Sequence, residues 1–565
     1  MKRRDEHVGM KKKSHLARLW VVACFFILIA GVLIWRMLDL MVVDRQFLRG
    51  QGNARSIRVV DIPAFRGMII DREGSALAVS TPVQSLWINP KDFAPSAKQL
   101  ASLAHYLGVP VKQLEMRVHA THARGFAYLQ RQLTPMVAKK IDALKIPGVN
   151  FQEEFKRYYP EGDSTAQLLG FTNIDDNGIE GLELAYQHWL VGYSGKKRVV
   201  KDRTGHIIDE LDMLKEPQPG HELQLSIDRR IQFFAYHELQ NTLNKFGAKS
   251  GSVVVLDTKT GEVLAIANAP SFNPNARSHY TLDSYRNKAI TDTFEPGSVV
   301  KPFSIASALD TGLYTPSTII DTRPSWMIVH GHTIRDVHSY GVLDVTGVLR
   351  YSSNVGVSKM VLSSPPEQLI GLLMRAGIGQ RTESGYPGEG EGAIVKIKDA
   401  NPFVLATLSF GYGMSVSALQ LAKSYLIFAN QGRLLPISLL HSENPRAVEG
   451  VQVIDPKTAN QVLAMLEAVV SDGTGKSADV VGYRVAGKTG TARIAGKKGY
   501  AESRYISSFI GIAPVSDPRL IVAVFIHEPT HGGYYGAAVA GPLFSKVMTT
   551  ALRILDVSPD KVPTA

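Results

Sequence analysis

Three short runs in this sequence place residue types where they could carry out acyl transfer: Ser298-Val299-Val300-Lys301, Ser352-Ser353-Asn354 and Lys488-Thr489-Gly490-Thr491. A serine hydroxyl attacks a carbonyl only when a neighbour takes its proton, and a lysine can do so once its own pKa is lowered. Pro302 follows Lys301 and begins an apolar run to Leu309. Proline lacks an N–H and fits only the first helical turn, so Ser298 is expected at a helix N-terminus with Lys301 on the same face.

Each pattern alone is weak, because the sequence repeats all three. Ser194 with Lys197, Ser271 with Asn273, Ser442 with Asn444, and Lys259-Thr260-Gly261 satisfy the same spacings. Context separates them. Ser194 lies in a Gly-rich polar stretch, Ser271 and Ser442 lie beside prolines in expected loops, and Lys259 falls on the turn of an expected hairpin. Lys488, in contrast, lies within a strand pattern from Arg484 to Ile494, where Gly490 would let a substrate approach a sheet edge.

Two other patterns suggest different chemistry and fail on context. His527-Glu528-Pro529-Thr530-His531 fits a zinc-protease spacing, which needs a helix to bring both imidazoles to one face. Here it follows a strand pattern, contains Pro529 and runs into Gly532-Gly533, so no helix and no metal site are expected. Gly475-Lys476-Ser477 resembles the end of a phosphate-binding loop, but Val470 stands where the first glycine should be. No cofactor is expected.

The elements that must position these residues begin with an anchor. Leu19 to Trp35 is an uncharged run of 17 residues, just long enough to cross the hydrocarbon layer as a helix, with Trp20 and Trp35 as interfacial residues. Lys2, Arg3, Arg4, Lys11, Lys12, Lys13 and Arg18 precede it against only Asp5 and Glu6, which keeps residues 1–18 cytoplasmic as a basic tail and exports the rest. No small-x-small cleavage site follows, so 19–35 is expected to remain as a single transmembrane helix. Cys24, the only cysteine, lies inside that span and excludes a disulfide framework. Part of the net charge of +12 belongs to this N-terminus, and the remainder suits an anionic wall or membrane better than nucleic acid.

A chain of 565 residues needs more than one core. Arg66 to Gly74 reads as a short strand closed by a turn with Gly74, with Ala76–Val79 as its partner, and Met136 to Leu144 reads as a helix ended by Ile146-Pro147-Gly148. Pro217, Pro219 and Gly220 interrupt the pattern before a strand at Leu223–Ile227, which places the main boundary near residue 220. Beyond it come a hairpin, Ser252–Leu256 with Glu262–Ala267, then helices, then three strands: 484–494, 505–513 and 520–527. The fold class is therefore α+β, with one antiparallel sheet assembled from distant sequence and flanked by helices.

With the motifs placed, the chain resembles the class B penicillin-binding proteins along nearly its whole length. Arg66-Gly67-Met68-Ile69-Ile70-Asp71-Arg72-Glu73-Gly74, Arg157-Tyr158-Tyr159-Pro160-Glu161-Gly162 and Gly178-Ile179-Glu180-Gly181-Leu182-Glu183 look like the family's non-catalytic pedestal. Phe294-Glu295-Pro296-Gly297-Ser298, Ser352-Ser353-Asn354-Val355-Gly356, Ser409-Phe410-Gly411-Tyr412-Gly413 and Lys488-Thr489-Gly490-Thr491 look like its transpeptidase module. The resemblance implies a pedestal over 36–219, a transpeptidase domain with a five-stranded sheet over 220–556, and a tail over 557–565.

It also implies an activity: Ser298 attacks a stem peptide ending in D-Ala-D-Ala, and a neighbouring amine, diaminopimelate by similarity to Gram-negative members, completes the cross-link. Lys301 would be the general base, its pKa lowered by burial and Lys488, with Ser352 as proton relay and Asn354 holding Lys301 and the substrate amide. Lys488, Thr489, Gly490 and Thr491 would form the substrate-binding strand, and the backbone N–H groups of Ser298 and Thr491 the oxyanion site. A D,D-carboxypeptidase side reaction and β-lactam binding belong to the same chemistry. Similarity points to septal cell-wall synthesis in the inner membrane, the catalytic part periplasmic, with the glycosyltransferase FtsW and other divisome proteins as partners.

The alternatives are a side-wall transpeptidase, a silent sensor or division scaffold, and a β-lactamase. The last requires a glutamate to activate water, commonly in E-x-x-L-N, which is missing after Asn354. A bifunctional enzyme would carry E-D-x-x-F between residues 40 and 220, and none occurs.

Overall fold

The structure is a computed structural model that describes residues 6–120, 125–202, 207–277, 280–442, 448–496 and 499–561. Residues 1–5 and 562–565 of the expected tails, and Asn444 of one rival motif, lie outside the described residues. The N-terminal helix runs Glu6–Leu38, and Leu16–Val43 is long and apolar enough to cross a membrane, by length and composition. The expected span 19–35 falls within it.

Contacts divide the chain into two compact units whose limits do not follow a single cut near residue 220. One comprises 1–64, 84–152 and 193–218; the other 65–83, 153–192 and 219–565. In the first, strands Ile57–Ile62, Gly195–Lys201 and Ile207–Lys215 form an antiparallel sheet. Its core is aliphatic, with Leu86, Ile88, Leu103, Leu114, Leu129 and Leu133 buried. The helix expected at 136–144 spans Pro135–Asp142, capped by Thr134.

The second unit is organised by one antiparallel sheet: β1 (Ser250–Asp257), β2 (Val263–Ala269), β3 (Ala486–Gly496), β4 (Gly499–Ala513) and β5 (Leu520–His527), in the spatial order β2-β1-β5-β4-β3. Because successive strand side chains point to opposite faces, each central strand feeds two cores. Val253, Val255, Val522 and Val524 pack on one side with helices α1 (Arg229–Phe246) and α4 (Gly536–Ile554). Val254, Leu256, Ile521 and Ala523 pack on the other with the helical segment that includes α2 (Lys301–Asp310) and α3 (Asn354–Leu362). The edge strand β3 carries the Lys488 motif.

Segments 65–83 and 153–192 join this unit through burial that a linear reading does not anticipate. Leu77, Leu168 and Leu182 share a core with Ile227, Leu256 and Phe303. Beside them the Glu183 carboxylate, completely buried, accepts from Arg66 Nε at 2.6 Å and Arg157 Nε at 2.7 Å. Removing one partner of such a pair strands the others' charge out of water. Glu183→Gln is expected to destabilise the chain by about 3–5 kcal/mol, read by denaturant unfolding. The strand expected at Leu223–Ile227 shrinks to Leu223–Gln224, which pairs parallel with Ile69–Ile70, because Ser226 turns its hydroxyl to the Val263 and Ser438 carbonyls and Asp228 caps α1.

Candidate active site

Ser298 sits in a 3₁₀ turn, Gly297–Val300, that runs directly into α2 with Pro302 in its first turn. The turn is pinned from three sides. Gly297, at φ 62°, donates its N–H to Gly411 O at 3.1 Å; the Tyr425 hydroxyl donates to Val299 O at 2.6 Å; and Ala492 of β3 packs on Gly297. Gly490 contributes to the same packing: a Cβ there would lie 2.2 Å from Ser508 Oγ and 3.0 Å from Val299 Cγ1. Its missing side chain thus lets β3 close on the serine turn.

Lys301 and Lys488 are both fully buried and meet at one hydroxyl. Lys301 Nζ donates to Ser352 O at 2.5 Å, Ser352 Oγ at 3.1 Å and Asn354 Oδ1 at 2.7 Å. Lys488 Nζ lies 3.1 Å from the same Ser352 Oγ and donates to Thr489 O at 3.1 Å. Burial, and next the Lys488 ammonium, hold the Lys301 amine well below the ordinary lysine range, opposed by Asp336. Burial brings Lys488 down to about 7. Ser352 Oγ thus lies between two buried amines whose pKa values are both lowered.

Ser352 reaches both amines because its backbone is left-handed, at φ 64°, a conformation uncommon outside glycine that the surrounding structure must hold in place. Asp336 does much of that holding. Its carboxylate accepts from Ser353 Oγ at 2.6 Å, Asn354 N at 2.5 Å and Val355 N at 3.0 Å, while Asn354 Nδ2 donates to Arg335 O at 2.9 Å. No motif marks Asp336, which is brought here across 17 residues. Asp336→Asn is expected to slow penicillin acylation about 10–100-fold, since two or three charge-assisted bonds weaken. It should also move the acidic limb of the pH–rate profile to lower pH, because the charge that raises the Lys301 pKa is gone.

Around these groups lies a cavity of about 410 Å3, lined by Ser298, Ser352, Asn354, Thr489, Gly490 and Thr491. Its wall also includes Thr474, Tyr340, Tyr351, Phe410, Tyr412 and Tyr535, and none of these six was singled out by spacing. Thr474 Oγ1 lies 3.2 Å from Thr489 Oγ1, and Thr491 Oγ1 accepts the Gly536 N–H that begins α4. The cavity opens along an edge strand, where an extended peptide can add to the sheet. Such a site can form and release an ester at Ser298.

The rival motifs are elsewhere. Ser194 immediately precedes the strand Gly195–Lys201, Lys259 lies on the β1–β2 turn, and Ser271 donates to the Asp163 carbonyl. His527 ends β5 and Glu528 pairs with Arg504 and Lys249, with no helix through the segment.

Residues 251–549 match the penicillin binding protein transpeptidase domain, and residues 61–225 the penicillin-binding protein dimerisation domain. The chain is 43% identical over 554 residues to the probable peptidoglycan D,D-transpeptidase PbpC of Pseudomonas aeruginosa, covering 98% of each. It is 40% identical over 570 residues to the peptidoglycan D,D-transpeptidase FtsI of Escherichia coli K12, covering 100% of this chain and 95% of that one. Among solved structures, the apo transpeptidase domain of Burkholderia pseudomallei penicillin-binding protein 3 is 40% identical at a TM-score of 0.56, over 60% of this chain and 98% of that one. Penicillin-binding protein 3 of Mycobacterium tuberculosis, complexed with aztreonam, is 28% identical at a TM-score of 0.70, over 89% and 98%.

Proposed function

The chain belongs to the penicillin-binding protein transpeptidase family, and from that membership we propose that it is a septal peptidoglycan D,D-transpeptidase working through an acyl-serine. The observation that carries the reading is the meeting of Lys301 and Lys488 on the Ser352 hydroxyl, in the cavity that Ser298 lines.

In this reading neutral Lys301 takes the Ser298 proton as Oγ attacks the penultimate carbonyl of a D-Ala-D-Ala stem. Backbone N–H groups of Ser298 and Thr491 receive the oxyanion, where one donor is typically worth about 3 kcal/mol. The proton passes through Ser352 to the departing D-Ala amine, and an acceptor amine from a second stem then reverses the path to form the cross-link. Charged Lys488, with Thr489 and Thr491, holds the terminal carboxylate, while Asn354 fixes Lys301 and the substrate amide. β-Lactams enter as acylating analogues of the same donor.

The apolar helix anchors the chain in the inner membrane, with the basic residues before Leu19 cytoplasmic and the chain beyond the helix periplasmic. Residues 36–219 then serve as the pedestal, 220–556 as the transpeptidase domain and 557–565 as a tail, with FtsW supplying new glycan beside it. Full-length protein given a pentapeptide donor and a diaminopimelate acceptor should release D-Ala and form the cross-linked dimer. Release without dimer would leave only a carboxypeptidase. Depletion in the native cell should give filaments; rounded cells would instead assign the chain to side-wall growth.

A further inference from the structure

A second cavity, of about 570 Å3, lies in the unit that contains the membrane helix, and the catalytic reading makes no use of it. Its wall includes Trp87, Phe126 and Phe151, with Asp61, Asn150 and Gln152 among the polar groups at its rim. The Trp87 and Phe126 rings lie 4.8 Å apart at 33°, in tilted contact with each other, and form one aromatic cluster. Tyr128 buttresses it edge-on, 4.8 Å from Phe126 at 84°, and donates its hydroxyl to Gln152 Oε1 at 2.9 Å.

Phe151 packs against the edge of this unit's core, whose fully buried residues are aliphatic, while Phe126 is 43% exposed. Partly exposed aromatic rings lining a cavity together with a carboxylate and two amides are the composition of a ligand site rather than of a packing defect. It suits one class of molecule well. A pyranose with equatorial substituents has an apolar C–H face, which stacks on an aromatic ring, and a rim of hydroxyl and acetamido groups that needs both donors and acceptors. Asp61 supplies acceptors, and Asn150 and Gln152 supply both.

We propose that this groove binds the N-acetylhexosamine chain of peptidoglycan, as a non-catalytic site that holds glycan while the stem peptide reacts elsewhere on the chain. The choice of polymer rests on the transpeptidase reading; the sugar chemistry rests on the groove itself. At about 410 Å3 the catalytic cavity suits the end of a peptide.

The test uses full-length protein in lipid nanodiscs, avoiding sugar-headed detergents, and first acylated with benzylpenicillin so that the catalytic cavity is closed. Chitohexaose is titrated in saturation-transfer NMR. The expected result is binding with a dissociation constant of about 0.1–1 mM, weakened about tenfold or more by Trp87→Ala and by Phe126→Ala. Asp61→Asn and Asn150→Ala, which remove only polar rim groups, should weaken it several-fold and keep the test valid if the ring variants fail to fold. Saturation transfer absent from the unaltered protein, or unchanged in all four variants, would overturn the proposal and favour a protein contact at this groove. A chain that binds chitohexaose yet takes no penicillin would overturn the catalytic reading and leave this one standing.

Discussion

Ser298→Ala is expected to abolish labelling by fluorescent penicillin, a loss of about 10⁴-fold or more in acylation rate, while unfolding free energy stays within about 1 kcal/mol. The turn that carries the residue is held by Gly297, the Val299 carbonyl and Ala492, not by the serine side chain, so removing one oxygen leaves the packing intact. The cavity also keeps its shape, and the variant should still bind penicillin reversibly. Normal labelling kinetics in this variant would remove Ser298 from the mechanism.

Lys301→Met has the second largest effect, a fall of about 10²–10⁴-fold in acylation, the usual worth of a general base. Its signature is in the pH dependence. In the unaltered protein the rate constant for acylation by low concentrations of penicillin should rise as Lys301 loses its proton, in a range well below ordinary lysine values. It should fall again near pH 7, where Lys488 loses the charge that holds the carboxylate. With ligand bound, the carboxylate favours charged Lys488, so the alkaline limb moves upward at saturation. Lys301→Met should lose the acidic limb and keep the alkaline one. An unchanged profile would assign the base elsewhere.

The positions that meet in the cavity were legible because their signals are local. Pro302 fixes the start of α2 and so places Ser298 and Lys301; the strand pattern around Lys488, and the turn around Lys259, separate two identical tripeptides. The five strands of the catalytic sheet were legible for the same reason, as apolar runs bounded by turns. What sequence did not offer was contact across distance. Asp336 has no motif, and its value lies in three bonds to a loop 17 to 19 residues away. The left-handed backbone at Ser352 is imposed by those neighbours rather than by the residue type. Arg66, Arg157 and Glu183 lie in motifs assigned from sequence to a separate pedestal, yet they are buried together, and with them 65–83 and 153–192 fold with the catalytic part. Aromatic residues at scattered positions, such as Tyr340, Tyr351 and Tyr535, became a wall only once the chain was folded.

The most direct test of the central claim is the mass of the full-length protein after mixing with benzylpenicillin, followed over hours and then mapped by proteolysis. The account predicts one added penicilloyl group, long-lived, on the peptide that contains Ser298. An adduct on another residue, an adduct lost within seconds as in a β-lactamase, or no adduct at all would contradict it.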